Sequence, residues 1–179
     1  KNIKITVTDI SEGMVNDARR NIGNGMFDYG VADCMNLPFD DNSFDCVIAN
    51  HVIFYCEEPG KAFKEIKRVL KPEGKAVFST YGSHHMQEIA QLVNQFDKRI
   101  VLSADVLYEK FGLDNGERLL KKYFNKVDKR LYDDYLLVDV AEPIIEYILS
   151  CHGNQNHYLL DRYSDFKAFI MKKTRKPLK

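Results

Sequence analysis

No stretch of this chain stays apolar for the ~20 residues that a membrane-spanning helix needs, and no signal-peptide pattern opens it. Charge leans neither way: Lys+Arg and Asp+Glu both number 26, so no overall positive field would draw the protein to nucleic acid or to an anionic membrane. Its four cysteines, Cys34, Cys46, Cys56 and Cys151, include no CxxC pair. No group of His, Cys, Asp and Glu has metal-ligand spacing, so no metal is expected. Internal repeats, low-complexity segments and linkers are missing too, as is a glycine-rich turn leading from a strand into a helix. Three of the cysteines fall in or beside predicted elements where a small apolar side chain fits. Buried free thiols, and with them a reducing, cytoplasmic location, are the expectation.

What is present suits one α/β domain across 1–179: 45% of residues are apolar and 12% aromatic, enough for a sizeable core. The chain opens at Lys1 rather than methionine and enters a strand almost at once, as expected of a trimmed, proteolysed or naturally shortened chain. Ile3, Ile5 and Val7 alternate with β-branched threonines and lead to Asp9. Ser11 can cap a following helix whose apolar face is Met14, Val15 and Ala18. A weaker strand over 27–31 leads to Asp33, and 44–49 is apolar enough for a strand covered on both faces. Residues 59–70 are the clearest helix: Ala62, Phe63, Ile66, Val69 and Leu70 recur at helical spacing, with Lys61, Lys64, Glu65, Lys67 and Arg68 facing water. Pro72 and Gly74 then predict a turn before a strand over 75–80.

Beyond it the pattern predicts helices over 86–96, 104–111 and 116–124, a strand within 127–138 bent or doubled around 133 and 134, and a helix over 141–151 with Pro143 in its first turn. Tyr163, Phe166, Phe169 and Ile170 share a helical stripe, so the last segment reads as helix rather than strand, with a basic tail that breaks at Pro177.

Residues 33–80, DCMNLPFDDNSFDCVIANHVIFYCEEPGKAFKEIKRVLKPEGKAVFST, carry the strongest signal. Acidic turn, strand, loop, amphipathic helix, turn and strand make a crossover unit of a parallel sheet, whose ligand edge lies at the strands' carboxyl ends. Asp9 sits at such an edge, where a carboxylate can accept both hydroxyls of a ribose; its plain alternative is a cap or loop residue. Asp33 has the alternative of a turn aspartate before Leu37-Pro38. Asn50 and His51 emerge at the next strand's end, and Tyr81, His84 and His85 after the one that follows. His51 could remove a proton or simply line a pocket, and Tyr55 and Cys56 could as well be core.

Leu37-Pro38-Phe39, Asp40 to Ser43 and Phe44-Asp45 resemble the middle of a class I S-adenosylmethionine-dependent methyltransferase, most densely over 3–79 and more loosely through 147, with LDNGERLLKKYF, VDKRLYDDYLLV and PIIEYILS similar to small bacterial members. The resemblance implies a Rossmann-like, doubly wound, mostly parallel sheet flanked by helices. That sheet would lack its first strand and glycine-rich turn at the N-terminus, and its closing strand if the last segment is helical. The segments 83–125 and 141–171 would lie around the substrate side. The resemblance also implies S-adenosyl-L-methionine as cofactor, with Asp9 on the ribose, Ile10 against the adenine, and Asp33 and the Cys34 amide on the adenine edge. Asn50 would complete the cofactor set, His51 and His85 would serve catalysis, and Tyr55, Tyr81 and His84 would face a small-molecule acceptor.

Two alternatives stand beside methyl transfer. A dinucleotide-dependent oxidoreductase also places an acid after its second strand, but the 37–45 stretch and the Lys71-Pro72-Glu73-Gly74 turn argue against it. An inactive fragment or binding module would keep the fold without the glycine-rich turn that holds the methionine end of the cofactor. A missing central strand would leave unpaired edges through which copies could associate.

Overall fold

The computed structural model describes residues 3–103, 106–132 and 134–174. Along the chain run β1 (Ile5–Asp9), α1 (Glu12–Ile22), β2 (Phe27–Val31), β3 (Phe44–Asn50), α2 (Pro59–Val69), β4 (Leu70–Ser79), α3 (Gln87–Phe96), α4 (Leu107–Lys110), α5 (Gly116–Leu120), α6 (Ala141–Ser150), α7 (Gln155–Leu159) and α8 (Tyr163–Thr174). The chain divides into two compact units, one from 1–81 with 107–128, the other from 82–106 with 129–179.

In the first unit β1, α1 and β2 make a parallel crossover, in register from Ile5 opposite Phe27 to Asp9 opposite Val31. Ser11 caps α1 as expected: its hydroxyl accepts the Met14 amide at 3.4 Å. The helix stops at Gly23, whose φ of +88° suits glycine and whose amide returns to the Arg19 carbonyl. Of the predicted apolar face, Val15 is buried and Met14 is exposed.

β3, α2 and β4 form the second parallel crossover. The expected Pro72-Gly74 turn lies inside β4, because the strand starts at Leu70: Phe44 pairs with Leu70 and Cys46 with Lys75, so the residues between bulge from the ladder. A Cβ on Gly74 would stand 2.9 Å from the Lys71 carbonyl oxygen and 3.1 Å from that of Phe44, so the bulge needs glycine. Among the described residues β1 pairs with β2 and β3 with β4, giving two parallel pairs in a mixed α/β fold.

Ala62, Phe63 and Ile66 of α2 pack on Ala49, Val47, Ala76 and Phe78, with Phe111 and Leu120 closing the cluster. Phe63 is surrounded by the rings of Phe78, Phe111 and Tyr123. The other face of this pair is open: Ile48 and Val77 are exposed, and so is Cys46. Coverage on both faces and burial of Cys46 were therefore wrong expectations, since alternation along β3 sends Val47 and Ala49 inward and Cys46 and Ile48 outward.

Glu65 and Arg68 are half-buried rather than fully turned to water. Arg68 donates to the carbonyls of Leu37 (2.9 Å) and Phe39 (2.7 Å), to Asp41 (2.8 Å) and to Glu65 (2.7 Å), while Glu65 accepts the Leu37 amide at 2.8 Å. The pair clamps the 37–41 loop onto α2. The Arg68 guanidinium, and behind it the Leu37 amide, holds the Glu65 carboxyl below the usual carboxylate range. A carboxyl depressed in the folded state stabilises above its unfolded pKa, and that stabilisation is lost as pH falls through the folded value. Wild type should exceed Glu65→Gln in thermal midpoint by a constant margin above about pH 5, narrowing toward pH 3. Arg68→Ala should lower the midpoint more than Lys71→Ala, whose exposed ion pair with Asp45 holds no loop. Equal midpoints for Arg68→Ala and Lys71→Ala would contradict the clamp.

The second unit is helical among its described residues. Leu92 and Val93 of α3, Ile144, Ile145 and Ile148 of α6, Leu159 of α7 and Phe166 and Ile170 of α8 share its core, so the helical reading of the last segment holds. Asp97 receives Arg99 and Arg162, and the Arg99 guanidinium holds its carboxyl well below the usual range. Residues 127–132 and 134–137 form no strand, a correction to the expected one, and Val138 makes only a bridge. Asp133, the start of the 104–111 helix and the break at Pro177 lie outside the described residues. No described helix is long and apolar enough to cross a membrane.

Candidate functional site

The carboxyl ends of both parallel pairs collect the polar residues of the first unit. Asp9 ends β1, and its Oδ1 accepts the Ser11 amide at 2.8 Å. Asp33 follows β2 and repeats this device, its Oδ1 accepting the Met35 amide at 2.8 Å and its carbonyl the Asn36 amide at 2.9 Å. Each carboxylate is oriented by its own turn through one oxygen, which leaves the other for a ligand hydroxyl or amine. Ile10, 69% exposed beside Asp9, offers an open apolar surface.

β3 and β4 end at Asn50 opposite Ser79, and the Ser79 hydroxyl donates to Asn50 Oδ1 at 2.5 Å. The His51 amide donates to the Ser79 hydroxyl at 3.1 Å, which holds His51 at a φ of +51°, a region costly for a residue with a Cβ. Its ring lies nearly parallel to Tyr81 (centroids 6.4 Å apart, 14° between planes) and edge-on to Phe54. Burial pushes the Tyr81 hydroxyl above the ordinary tyrosine range. Tyr55 is 68% exposed.

Cys34 and Cys56 meet sulfur to sulfur at 3.1 Å. Cys56 is buried in the core of the unit and Cys34 half-buried against it.

His84 and His85 belong to the second unit, where they line a cavity of about 520 Å³ with Ile89, Leu92, Tyr135 and Leu136. Its wall is mostly apolar, and Glu88 and Asp134 are its acids. The structure thus brings together Asn50, His51, Tyr81 and Ser79 in one unit, and His84 and His85 in another.

Sequence reasoning missed Ser79, the Cys34–Cys56 contact and the part of 132–138 in the cavity wall. Ser79 could have been found, because register pairs it with Asn50 once β3 and β4 are aligned from their carboxyl ends. No metal-binding group of His, Cys, Asp and Glu occurs among the described residues.

Residues 1–78 match the family model described as a methyltransferase domain. This segment is similar to the class I S-adenosylmethionine-dependent methyltransferases. Among curated relatives, a malonyl-[acyl-carrier protein] O-methyltransferase of Methylovorus sp. is 32% identical over 124 residues, 65% of this chain and 40% of the relative. A demethylmenaquinone methyltransferase of Clavibacter sepedonicus is 38% identical over 80 residues, 44% of this chain and 33% of the relative. The chain therefore spans about a third to two fifths of the length of these relatives. Among solved structures, a protein of Pyrococcus horikoshii superposes with a TM-score of 0.51 at 26% identity, over 69% of this chain and 63% of that one.

Proposed function

We propose that this chain binds S-adenosyl-L-methionine through Asp9 and Asp33 and serves methyl transfer to a small-molecule acceptor. The observation that carries the reading is the pair of carboxylates at the ends of successive parallel strands, each oriented by its own turn, inside the segment that matches the methyltransferase domain.

Asp9 accepts the ribose hydroxyls, Ile10 packs on the adenine, and Asp33 with the Cys34 amide reads its amine and a ring nitrogen, an acceptor and a donor that together select adenine. Asn50, tied to Ser79, borders the methionine side. The cofactor supplies an electrophilic sulfonium methyl, so the protein's task is mainly alignment, with deprotonation where the acceptor requires it. His51 and His85 are the residues able to take that proton. Tyr55, Tyr81 and His84 are acceptor-side residues, and the mostly apolar cavity with His84 and His85 suits a small molecule with an apolar body. The names of the relatives give different acceptors, demethylmenaquinone in one and malonyl-[acyl-carrier protein] in the other, so neither is carried over.

Incubation with methyl-labelled S-adenosylmethionine and a metabolite extract should place label in the small-molecule fraction. Label in nucleic acid, or in no fraction, contradicts the reading. With an acceptor in hand, His51→Ala or His85→Ala should cut turnover roughly 10²–10⁴-fold where that residue is the base, and change cofactor affinity little. Normal methylation by both variants would make these histidines structural.

A further inference from the structure

The Cys34 and Cys56 sulfurs are 3.1 Å apart, whereas Cys46 is exposed on β3 and the Cys151 thiol donates to the Tyr147 carbonyl at 3.3 Å. Of the four thiols, those of Cys34 and Cys56 are placed sulfur to sulfur, the arrangement from which an S–S bond can form. We propose that Cys34 and Cys56 are a redox-modification site, a dithiol that closes reversibly to a disulfide between the turn after β2 and the turn after β3.

The geometry needs little change. The sulfurs must close by about 1 Å to reach the ~2.05 Å of a disulfide. Cys34 follows Asp33 in a turn held by short local hydrogen bonds, and Cys56 follows a single 3-10 turn at Ile53–Tyr55, so both ends can shift without moving a strand. Either sulfur can donate in this contact, so either thiol can react first and the other resolve it, with the same linked product.

With hydrogen peroxide as oxidant and Cys56 reacting first, its thiolate attacks one peroxide oxygen. The O–O bond breaks, and Cys56 becomes a sulfenic acid as hydroxide leaves and is protonated to water. Cys34 sulfur then attacks the Cys56 sulfur; the S–O bond breaks, the S–S bond forms, and the Cys34 proton leaves with the second hydroxide as water. Two thiols are oxidised by two electrons in all, and one peroxide is reduced to two waters. The Cys34 sulfur, already 3.1 Å away, outcompetes a second peroxide for the sulfenic acid.

Closure would draw Cys34, and the Asp33 turn with it, toward Cys56. If Asp33 grips adenine, which rests on the methyl-transfer reading, the oxidised protein binds S-adenosylmethionine several-fold more weakly than the reduced one.

The test uses the wild-type protein treated with hydrogen peroxide, alkylated with N-ethylmaleimide and mapped by mass spectrometry. The expected result is a linked Cys34–Cys56 peptide about 2 Da lighter than the two free peptides and restored by dithiothreitol, with Cys46 and Cys151 alkylated and unlinked. In Cys34→Ser, Cys56 should pass on to the sulfinic acid. Full alkylation of Cys34 and Cys56, or single oxidation of either in wild type with no linked peptide, overturns the proposal. Cofactor titration of both redox states separates the two readings: absence of binding in the reduced protein counts against methyl transfer, while the peptide map alone decides the disulfide.

Discussion

Phe63→Ala should cost about 3–5 kcal/mol of stability, the range for removing a fully buried aromatic ring. Phe63 is 1% exposed, and its ring meets Phe78 on β4, Phe111 after α4 and Tyr123 after α5 at centroid distances of 5.7, 5.6 and 5.3 Å. Its removal would open a cavity bordered by a strand, a helix and two loops, which cannot all collapse into it. Whole domains are stable by roughly 5–15 kcal/mol, so this is a large share. Because the chain has no tryptophan, denaturant unfolding is best followed by circular dichroism, with a lower midpoint and an unchanged slope as the expected signature. A loss below about 1 kcal/mol would mean that these rings do not form the core described.

The second large effect falls on binding. Asp9→Ala and Asp33→Ala should each weaken S-adenosylmethionine binding by about 1–3 kcal/mol, roughly fivefold to 150-fold. Because one carboxylate is assigned to the ribose and the other to the base, with each held by its own turn, the double variant should lose nearly the sum. Calorimetry on protein made from the complete reading frame checks this. Affinity unchanged in both single variants would remove the assignment.

The strands and helices up to residue 79 were legible because hydrophobic spacing and turn chemistry agree there: Ser11 before an amphipathic run, Pro59 in the first turn of α2, and aspartates where strands stop. Three features were hidden for physical reasons. Charged residues on a helix read as solvated, yet Arg68 and Glu65 are drawn in by the backbone groups of the 37–41 loop, partners that periodicity cannot show. The apolar run of β3 promised two covered faces, but apolar residues do not reveal how many layers cover them, and Ile48 is 69% exposed. Residues 127–132 and 134–137 include β-branched and aromatic side chains yet form no strand, because propensity alone does not supply a pairing partner. For the candidate site, the carboxylates were visible as strand ends. The Cys34–Cys56 contact was not, because it depends on how the turns after β2 and β3 approach each other.

The central claim is that the strand-end carboxylates hold a nucleoside, and a crystal structure of the protein made from its complete reading frame with S-adenosylhomocysteine tests it most directly. The account predicts the ribose hydroxyls within hydrogen-bond distance of Asp9, the adenine amine on Asp33 with Ile10 against the ring, and the thioether directed toward Asn50. A well-ordered nucleoside elsewhere, with Asp9 and Asp33 both free of it, would contradict the account.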